Sequence, residues 1–313
     1  EKIAYGSTLS KDGFPNIQFD FMLSNPPYGK TWKIDKPSIV DGKEIIDSRF
    51  KIGVPRINDG QLLFLMNMVA KLKNNSPLGS RAATIHNGSA LFTGDAGQGE
   101  SEIRKHLFQN DLLEAIIALP NDMFYNTGIP TYVFVLTNKK TKERKGKLQL
   151  INVTSEAFYS KMRKPLGKKR VELKSNHIEN ITKLFLDFEE NENSIILDND
   201  DFGFSQITVH QPQKDENGKP IKDKKGNFKS DNSKKDKENI PLKEDIDAFF
   251  EKEVTPFVAN AWYNTKETKI GYEINFAKYF YKYQAPRTLS TITKDILAIE
   301  QETENLLKEI VEV

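Results

Sequence analysis

The chain has 313 residues, enough for one large domain or two smaller ones, and 37% hydrophobic with 10% aromatic residues is enough for a packed core. The net charge is +2, so any basic surface must be local rather than a property of the whole chain. With no cysteine there is no disulfide, no thiolate metal site and no cysteine nucleophile, which excludes the thiolate attack that cytosine C5 methylation requires.

In chain order, the first informative segment is the apolar run 19–24, which reads as a short buried strand ending in Asn25-Pro26-Pro27-Tyr28. Two prolines fix φ and remove both backbone donors. The turn keeps only acceptors, namely the Asn25 side-chain oxygen and the Pro26 carbonyl. Both can accept from one exocyclic amino group, and Tyr28 can stack on the ring that carries it. An aromatic amine is a poor nucleophile because its lone pair is delocalised into the ring. Two acceptors out of the ring plane draw the nitrogen toward tetrahedral geometry, ready for in-line attack on a sulfonium methyl. Positioning and electrostatics then carry the catalysis. A plain proline turn after a strand is the alternative reading of the same four residues.

Strands are predicted at 82–86, 113–118, 131–136 and 148–153, alternating with helices at 61–72 and 100–109. Leu62, Leu65, Met66 and Val69 share one face of the first helix. Such alternation predicts an α/β layer fold. Gly94, Gly97 and Gly99 mark a mobile loop. In open α/β sheets, ligands sit at the carboxyl ends of strands, where Asn25, the Asn87-Gly88 turn and the loop 120–130 all fall.

Beyond about residue 155 the pattern changes. Lys161, Arg163, Lys164, Lys168, Lys169 and Arg170 surround Pro165 and Gly167. A solvated surface loop is the simplest reading, and contact with DNA phosphates is the sharper one. Residues 177–189 read as a helix and 207–209 as a strand. Lysine-rich residues 213–239, with interspersed acids and almost no apolar residues, read as a disordered or poorly packed insert. A helix is predicted over 241–253, with Leu242, Ile246, Phe249 and Phe250 on one side. Phe276, Tyr279, Phe280, Tyr281 and Tyr283 form an aromatic group suited to a core or an interface. The final stretch, 290–313, places Ile292, Ile296, Ile299, Leu306, Leu307 and Ile310 at helical spacing. That stripe needs cover from a partner or from the body of the chain.

Taken together, the ordered segments Gly6-Ser7-Thr8-Leu9, Phe19 to Tyr28, Arg81 to Ile85, Ser89 to Phe92, Met123-Phe124-Tyr125 and Thr131 to Leu136 resemble the modification subunit of type I restriction-modification systems. That family consists of adenine-N6 DNA methyltransferases. Met162 to Arg170, Phe204 to Val209, Pro241 to Ile246 and Gly271 to Phe276 extend the resemblance over nearly the whole chain. It implies a partial S-adenosylmethionine-dependent methyltransferase (Rossmann-like) sheet followed by a mixed, largely helical C-terminal extension. The expected divisions are a catalytic half over 1–155, a basic loop and helical extension over 156–211, the insert over 212–240, and a helical region over 241–313 with a docking helix at 290–313.

By motif position the resemblance implies that Asn25, Pro26, Pro27 and Tyr28 are catalytic and that Asn25, Pro26 and Tyr28 hold a flipped adenine. Asn25 and Pro26 also reach the S-adenosylmethionine cofactor. Phe124 would meet the base from its other face, with Tyr125 the neighbouring candidate. No metal is implied. The implied partners are DNA, a specificity subunit that reads the bases, a second modification subunit and a restriction subunit. The family's glycine-rich cofactor loop and ribose-binding acid lie upstream of its Asn-Pro-Pro-Tyr, and nothing here matches them. The chain therefore reads as the carboxyl-terminal part of such a subunit, inactive alone, with the strand at 19–24 on an unprotected sheet edge. Its first residues, Glu1-Lys2-Ile3, lack a Met and agree with that reading. Two further readings share the motif or the composition: a glutamine-N5 protein methyltransferase, and a non-catalytic assembly or DNA-contact module. No apolar run approaches a membrane span and no signal-peptide pattern opens the chain, so a cytoplasmic location is expected.

Overall fold

A computed structural model of the protein describes residues 5–283 and 285–311, with side chains described up to residue 303. The chain divides into two compact units, Glu1–Tyr279 and Phe280–Val313. The expected segments 1–155, 156–211 and 212–240 all lie within the first of these.

That unit opens with strand β1 (Phe21–Ser24), helix α1 (Lys36–Ile39), the two-residue strands β2 (Val40–Asp41) and β3 (Glu44–Ile45), and helix α2 (Gln61–Ala70). Next come β4 (Arg81–Asn87), α3 (Ser89–Phe92), α4 (Gly99–Gln109), β5 (Leu113–Leu119), β6 (Thr131–Thr137) and β7 (Lys147–Asn152). The second half holds β8 (Ser160–Leu166), β9 (Lys169–Glu172), α5 (Ser175–Asp187), β10 (Ser194–Asp198), β11 (Gly203–Val209) and β12 (Asp236–Pro241). It closes with α6 (Ile246–Phe249), β13 (Lys269–Tyr272) and α7 (Phe276–Phe280), and α8 (Leu289–Val311) follows.

Six strands form one mixed sheet in the order β1-β4-β6-β5-β7-β10. β1 runs parallel to β4 and β5 parallel to β7, whereas β6 is antiparallel to both of its neighbours. Consequently β1, β4, β5 and β7 all point one way. Their carboxyl ends deliver Asn25, Asn87-Gly88 and Pro120 to a single edge, where Thr131 starts β6 opposite Asn87 and Leu119. This is the α/β architecture expected from the alternating segments.

β5 reads Leu-Glu-Ala-Ile-Ile-Ala-Leu and is buried along its whole length, because the sheet is covered on both faces at its centre. Its Glu114 is buried but bonded to Arg81 Nε at 2.9 Å. On one face Ala115, Ile117, Leu119, Val135 and Ile151 pack with Ile181, Leu184 and Phe185 of α5. At the other extreme, edge strand β1 leaves Phe21 and Leu23 77% and 88% exposed.

A second, three-stranded sheet, β12-β11-β13, stacks Ile207, Val209 and Ile240 against Phe250 and Val254. It is locked to the first half by Arg104 of α4. That buried guanidinium donates to the carbonyls of Tyr272 (2.5 Å), Ala90 (3.3 Å) and Gly94 (3.4 Å). Burial lowers its pKa to about 10, which still leaves it charged at neutral pH. Phe108 stacks between Phe202 and Tyr272, and Ile274 N–H donates to Leu91 O.

Three expectations change. The basic stretch 161–170 is not a loop but the β8–β9 hairpin, turned by Gly167 at φ 63°. Charged residues on both of its faces hide the strand period. The lysine-rich stretch is largely exposed, yet it forms antiparallel bridges at Pro212–Ser230, Lys214–Pro220 and Lys222–Phe228, and its end, β12, pairs along β11. Backbone ladders need no apolar side chains, so composition alone underestimates order here. The helix expected from 241 starts at Ile246, because Pro241 stays in β12 and Asp245 Oδ1 caps the Ala248 N–H at 2.9 Å.

The terminal helix is present as α8, with Ile292, Ile296 and Ile299 exposed. The side chains of Leu306, Leu307 and Ile310 lie outside the described residues. Among the described residues, no helix is long and apolar enough to cross a membrane.

Candidate functional site

The Asn25–Tyr28 turn leaves β1 at the carboxyl edge, one strand away from the Asn87-Gly88 turn that ends β4. Pro26 is buried and anchors the turn, Tyr28 is half-buried, and Asn25 and Pro27 are exposed. Burial pushes the Tyr28 phenol up, so it stays protonated at neutral pH. Among the described residues no hydrogen bond reaches the Asn25 side chain, which leaves its amide able to accept from a substrate.

What holds this turn is a buried polar cluster that sequence reasoning missed. Gly29, at φ 65°, donates its N–H to Asp59 Oδ1 at 3.0 Å. The same oxygen accepts from Gln61 N–H at 3.3 Å. Asp59 Oδ2 accepts from Gln61 Nε2 at 2.7 Å and from Ser89 Oγ at 2.9 Å. Gln61 Nε2 also lies 2.7 Å from Asn87 Oδ1, and Gln61 Oε1 accepts the Asn87 N–H at 3.1 Å. Two residues at the start of α2 thus tie the ends of two neighbouring parallel strands together.

Gln61 Oε1 can only accept, so His86 Nδ1, 3.2 Å away, carries a proton and donates to it. Burial lowers the His86 pKa to about 3, which keeps the ring neutral. One sign of this cluster was legible: Thr84 and His86 share the inward face of β4 with Ala82, an unusual polar run at core positions.

The loop 120–130 splits the two aromatic candidates. Phe124 is half-buried and packs with Met123 against the Ala115–Leu119 side of the core, whereas Tyr125 is 58% exposed. The basic hairpin lies directly on this loop. Lys168 N–H donates to Tyr125 O and Arg170 N–H to Asp122 O, both at 2.9 Å. Lys169 Nζ stands 5.5 Å from the centroid of the Tyr125 ring.

Between loop and hairpin runs a cleft of about 650 Å³, lined in part by Asp122, Tyr132, Tyr159, Lys161 and Arg170. Lys161 pairs with Glu156 at 2.6 Å, which raises its pKa. Arg163, Lys164, Lys168 and Arg170 are exposed.

For S-adenosylmethionine the fit is one-sided. The turn offers acceptors suited to the amine that takes the methyl group. A ribose diol calls for a carboxylate with open oxygens, and Asp59, the carboxylate tied to this turn, has both oxygens occupied by its neighbours.

Several known proteins are similar to this chain. The methylase subunit of the type I restriction enzyme MjaIX of Methanocaldococcus jannaschii is 26% identical over 199 residues, covering 63% of this chain and 33% of that protein. The MjaVIII methylase subunit of the same organism is 30% identical over 173 residues, 55% of this chain and 27% of the relative. The HindI methylase subunit of Haemophilus influenzae is 32% identical over 136 residues, 43% and 27% respectively. The chain thus spans about a third or less of the length of these curated relatives.

In fold it is similar to the crystal structure of the type I restriction-modification methyltransferase subunit from Streptococcus thermophilus. The TM-score is 0.51 at 24% identity, over 63% of this chain and 38% of that one. The family model for N-6 DNA methylases matches residues 1–212, well over half of the sequence, and the chain belongs to the N-6 DNA methylase family.

Proposed function

We propose that this chain is the target-base part of a type I modification subunit and that it methylates N6 of an adenine flipped out of duplex DNA. The observation that carries this reading is the Asn25–Tyr28 turn, with its open Asn25 amide at the carboxyl edge of the sheet, in a chain of the N-6 DNA methylase family.

N6 lies inside the base stack, so the base must leave it, at a cost of a few kcal/mol. Stacking on Tyr28 from one side and on Phe124 or Tyr125 from the other contributes about 1–3 kcal/mol per base and offsets much of that cost. Asn25 Oδ1 and the Pro26 carbonyl accept from the amino group and turn its lone pair outward. S-adenosylmethionine, when bound, supplies the sulfonium methyl. The amino nitrogen loses a proton after attack, so no strong base is required beforehand.

The similar proteins are named methylase subunits of type I restriction enzymes. The proposed partners follow from that: DNA, a specificity subunit, a second modification subunit and a restriction subunit, all in the cytoplasm. The test is transfer of labelled methyl to unmethylated genomic DNA by the complete enzyme, followed by nucleoside analysis. Label in N6-methyladenine is expected, and label in cytosine or in protein overturns the reading.

Two further results are expected. Neutralising Lys168, Lys169 and Arg170 together should weaken binding equally on all DNA sequences. The slope of log affinity against log salt should fall by roughly 0.9 for each phosphate that the hairpin no longer neutralises. An unchanged slope in a binding titration would remove the hairpin from the DNA surface.

Deleting residues 290–313 should leave the first unit folded and soluble while abolishing co-purification with the specificity subunit. Ile292, Ile296 and Ile299 are 38%, 58% and 63% exposed on α8, a stripe that calls for a covering partner. A truncated chain that still co-purifies would defeat this assignment.

A further inference from the structure

The basic hairpin and the aromatic loop are one mechanical piece. Backbone bonds join them at two points, Lys168 N–H to Tyr125 O and Arg170 N–H to Asp122 O, and the Lys169 ammonium lies over the Tyr125 ring. Close approach at the hairpin tip depends on a glycine. A Cβ at Gly167 would stand 2.7 Å from the Tyr125 carbonyl oxygen, and its φ of 63° also suits glycine. Lys168 and Arg170 thus hold the loop with their backbone N–H groups while their side chains, with that of Lys169, carry the charge that can meet a phosphate.

From this geometry we propose that the β8–β9 hairpin is the positioning element of the aromatic loop. A DNA phosphate bound by Lys168, Lys169 or Arg170 fixes Phe124 and Tyr125 at the carboxyl edge, so that backbone engagement and capture of the target base are coupled. This rests on the proposed reading of the site as a DNA base pocket. The hairpin does not touch the reacting atoms. It acts through the loop, and its ligand is the sugar-phosphate backbone beside the target nucleotide.

The test is amide hydrogen exchange of the complete enzyme, with and without unmethylated duplex DNA, alongside binding titrations and turnover. In the wild type, DNA should protect both the hairpin amides of 160–172 and the loop amides of 120–130. Gly167→Asn keeps a residue tolerant of the left-handed turn but adds the Cβ that meets Tyr125. It should retain DNA protection in the hairpin and the wild-type salt slope, lose DNA protection in the loop, and lower kcat about tenfold at unchanged KM for DNA.

A second variant, Lys168→Gln with Lys169→Gln and Arg170→Gln, keeps the backbone bonds but removes the charges that meet phosphate, and it should lose DNA-induced protection in both segments. Loop protection that persists in either variant overturns the coupling while leaving the base pocket intact. A wild-type hairpin that gains no protection from DNA overturns the phosphate reading itself.

Discussion

Asn25→Ala is expected to reduce methyl transfer by at least about 100-fold, comparable to removing one preorganised group from a transition-state cradle. DNA affinity in the same variant should stay near wild type. The Asn25 amide is exposed and holds no other part of the fold, so its loss costs little stability. On the proposed reading its hydrogen bond to the target amine strengthens as the nitrogen becomes tetrahedral, and an interaction of that kind acts on kcat more than on KM. Asn25→Asp is informative beside it, because it keeps an acceptor but adds charge next to a developing cation. Turnover measured with labelled cofactor decides the matter: near-normal rates for Asn25→Ala would show that the turn is only a turn.

The second large effect is expected at Asp59. Its two oxygens accept from Gly29 N–H, Gln61 N–H, Gln61 Nε2 and Ser89 Oγ in a site only 7% exposed. Asp59→Ala removes the carboxylate from the Gly29 and Gln61 N–H groups, while Gln61 Nε2 and Ser89 Oγ keep Asn87 Oδ1, and with about 1–3 kcal/mol for a donor left unsatisfied a loss of roughly 2 kcal/mol in unfolding free energy is expected. The Asn25–Tyr28 turn should loosen with it, and kcat should fall together with stability. Asp59→Asn retains an acceptor for Gly29 but sets an amide NH2 against Gln61 Nε2, so it should sit between Asp59→Ala and wild type. Denaturant midpoints measure the first quantity and turnover the second. If Asp59→Ala unfolds within about 0.5 kcal/mol of wild type, as an ordinary surface change does, the cluster does not hold the turn.

The difference between Asn25 and Asp59 shows what a sequence can display. Asn25 stands in a local pattern of four residues behind an apolar run, and β5 is an unbroken apolar run apart from Glu114, so turn and strand are both readable within a short window. Asp59 acquires its meaning only from Gly29 and Ser89, each 30 residues away, and Gln61 from Asn87, 26 residues away. Spacing on one segment cannot announce such partners. The hairpin over 160–172 escaped for another reason. Eight of its thirteen residues are polar or charged and Met162, Leu166 and Val171 fall at no regular spacing, so the alternation that betrays a half-buried strand is absent, and the ladder rests on backbone bonds and the Gly167 turn. Even α8, visible from its apolar spacing, discloses nothing of what covers it.

The grip of Arg104 on Tyr272 spans 168 positions of the chain. At a synthesis rate of 5–20 residues per second, α4 leaves the ribosome roughly 10–30 seconds before the carbonyl that receives its guanidinium exists. During that interval a charge destined for the interior has no β13 to dock on, and Phe108 lacks the Tyr272 ring it will stack against. The seam between the two sheets is therefore closed late, by the arrival of β13. Slow synthesis or a pause between codons 110 and 270 prolongs a state with an open seam, and chaperone demand during production of this protein should concentrate there.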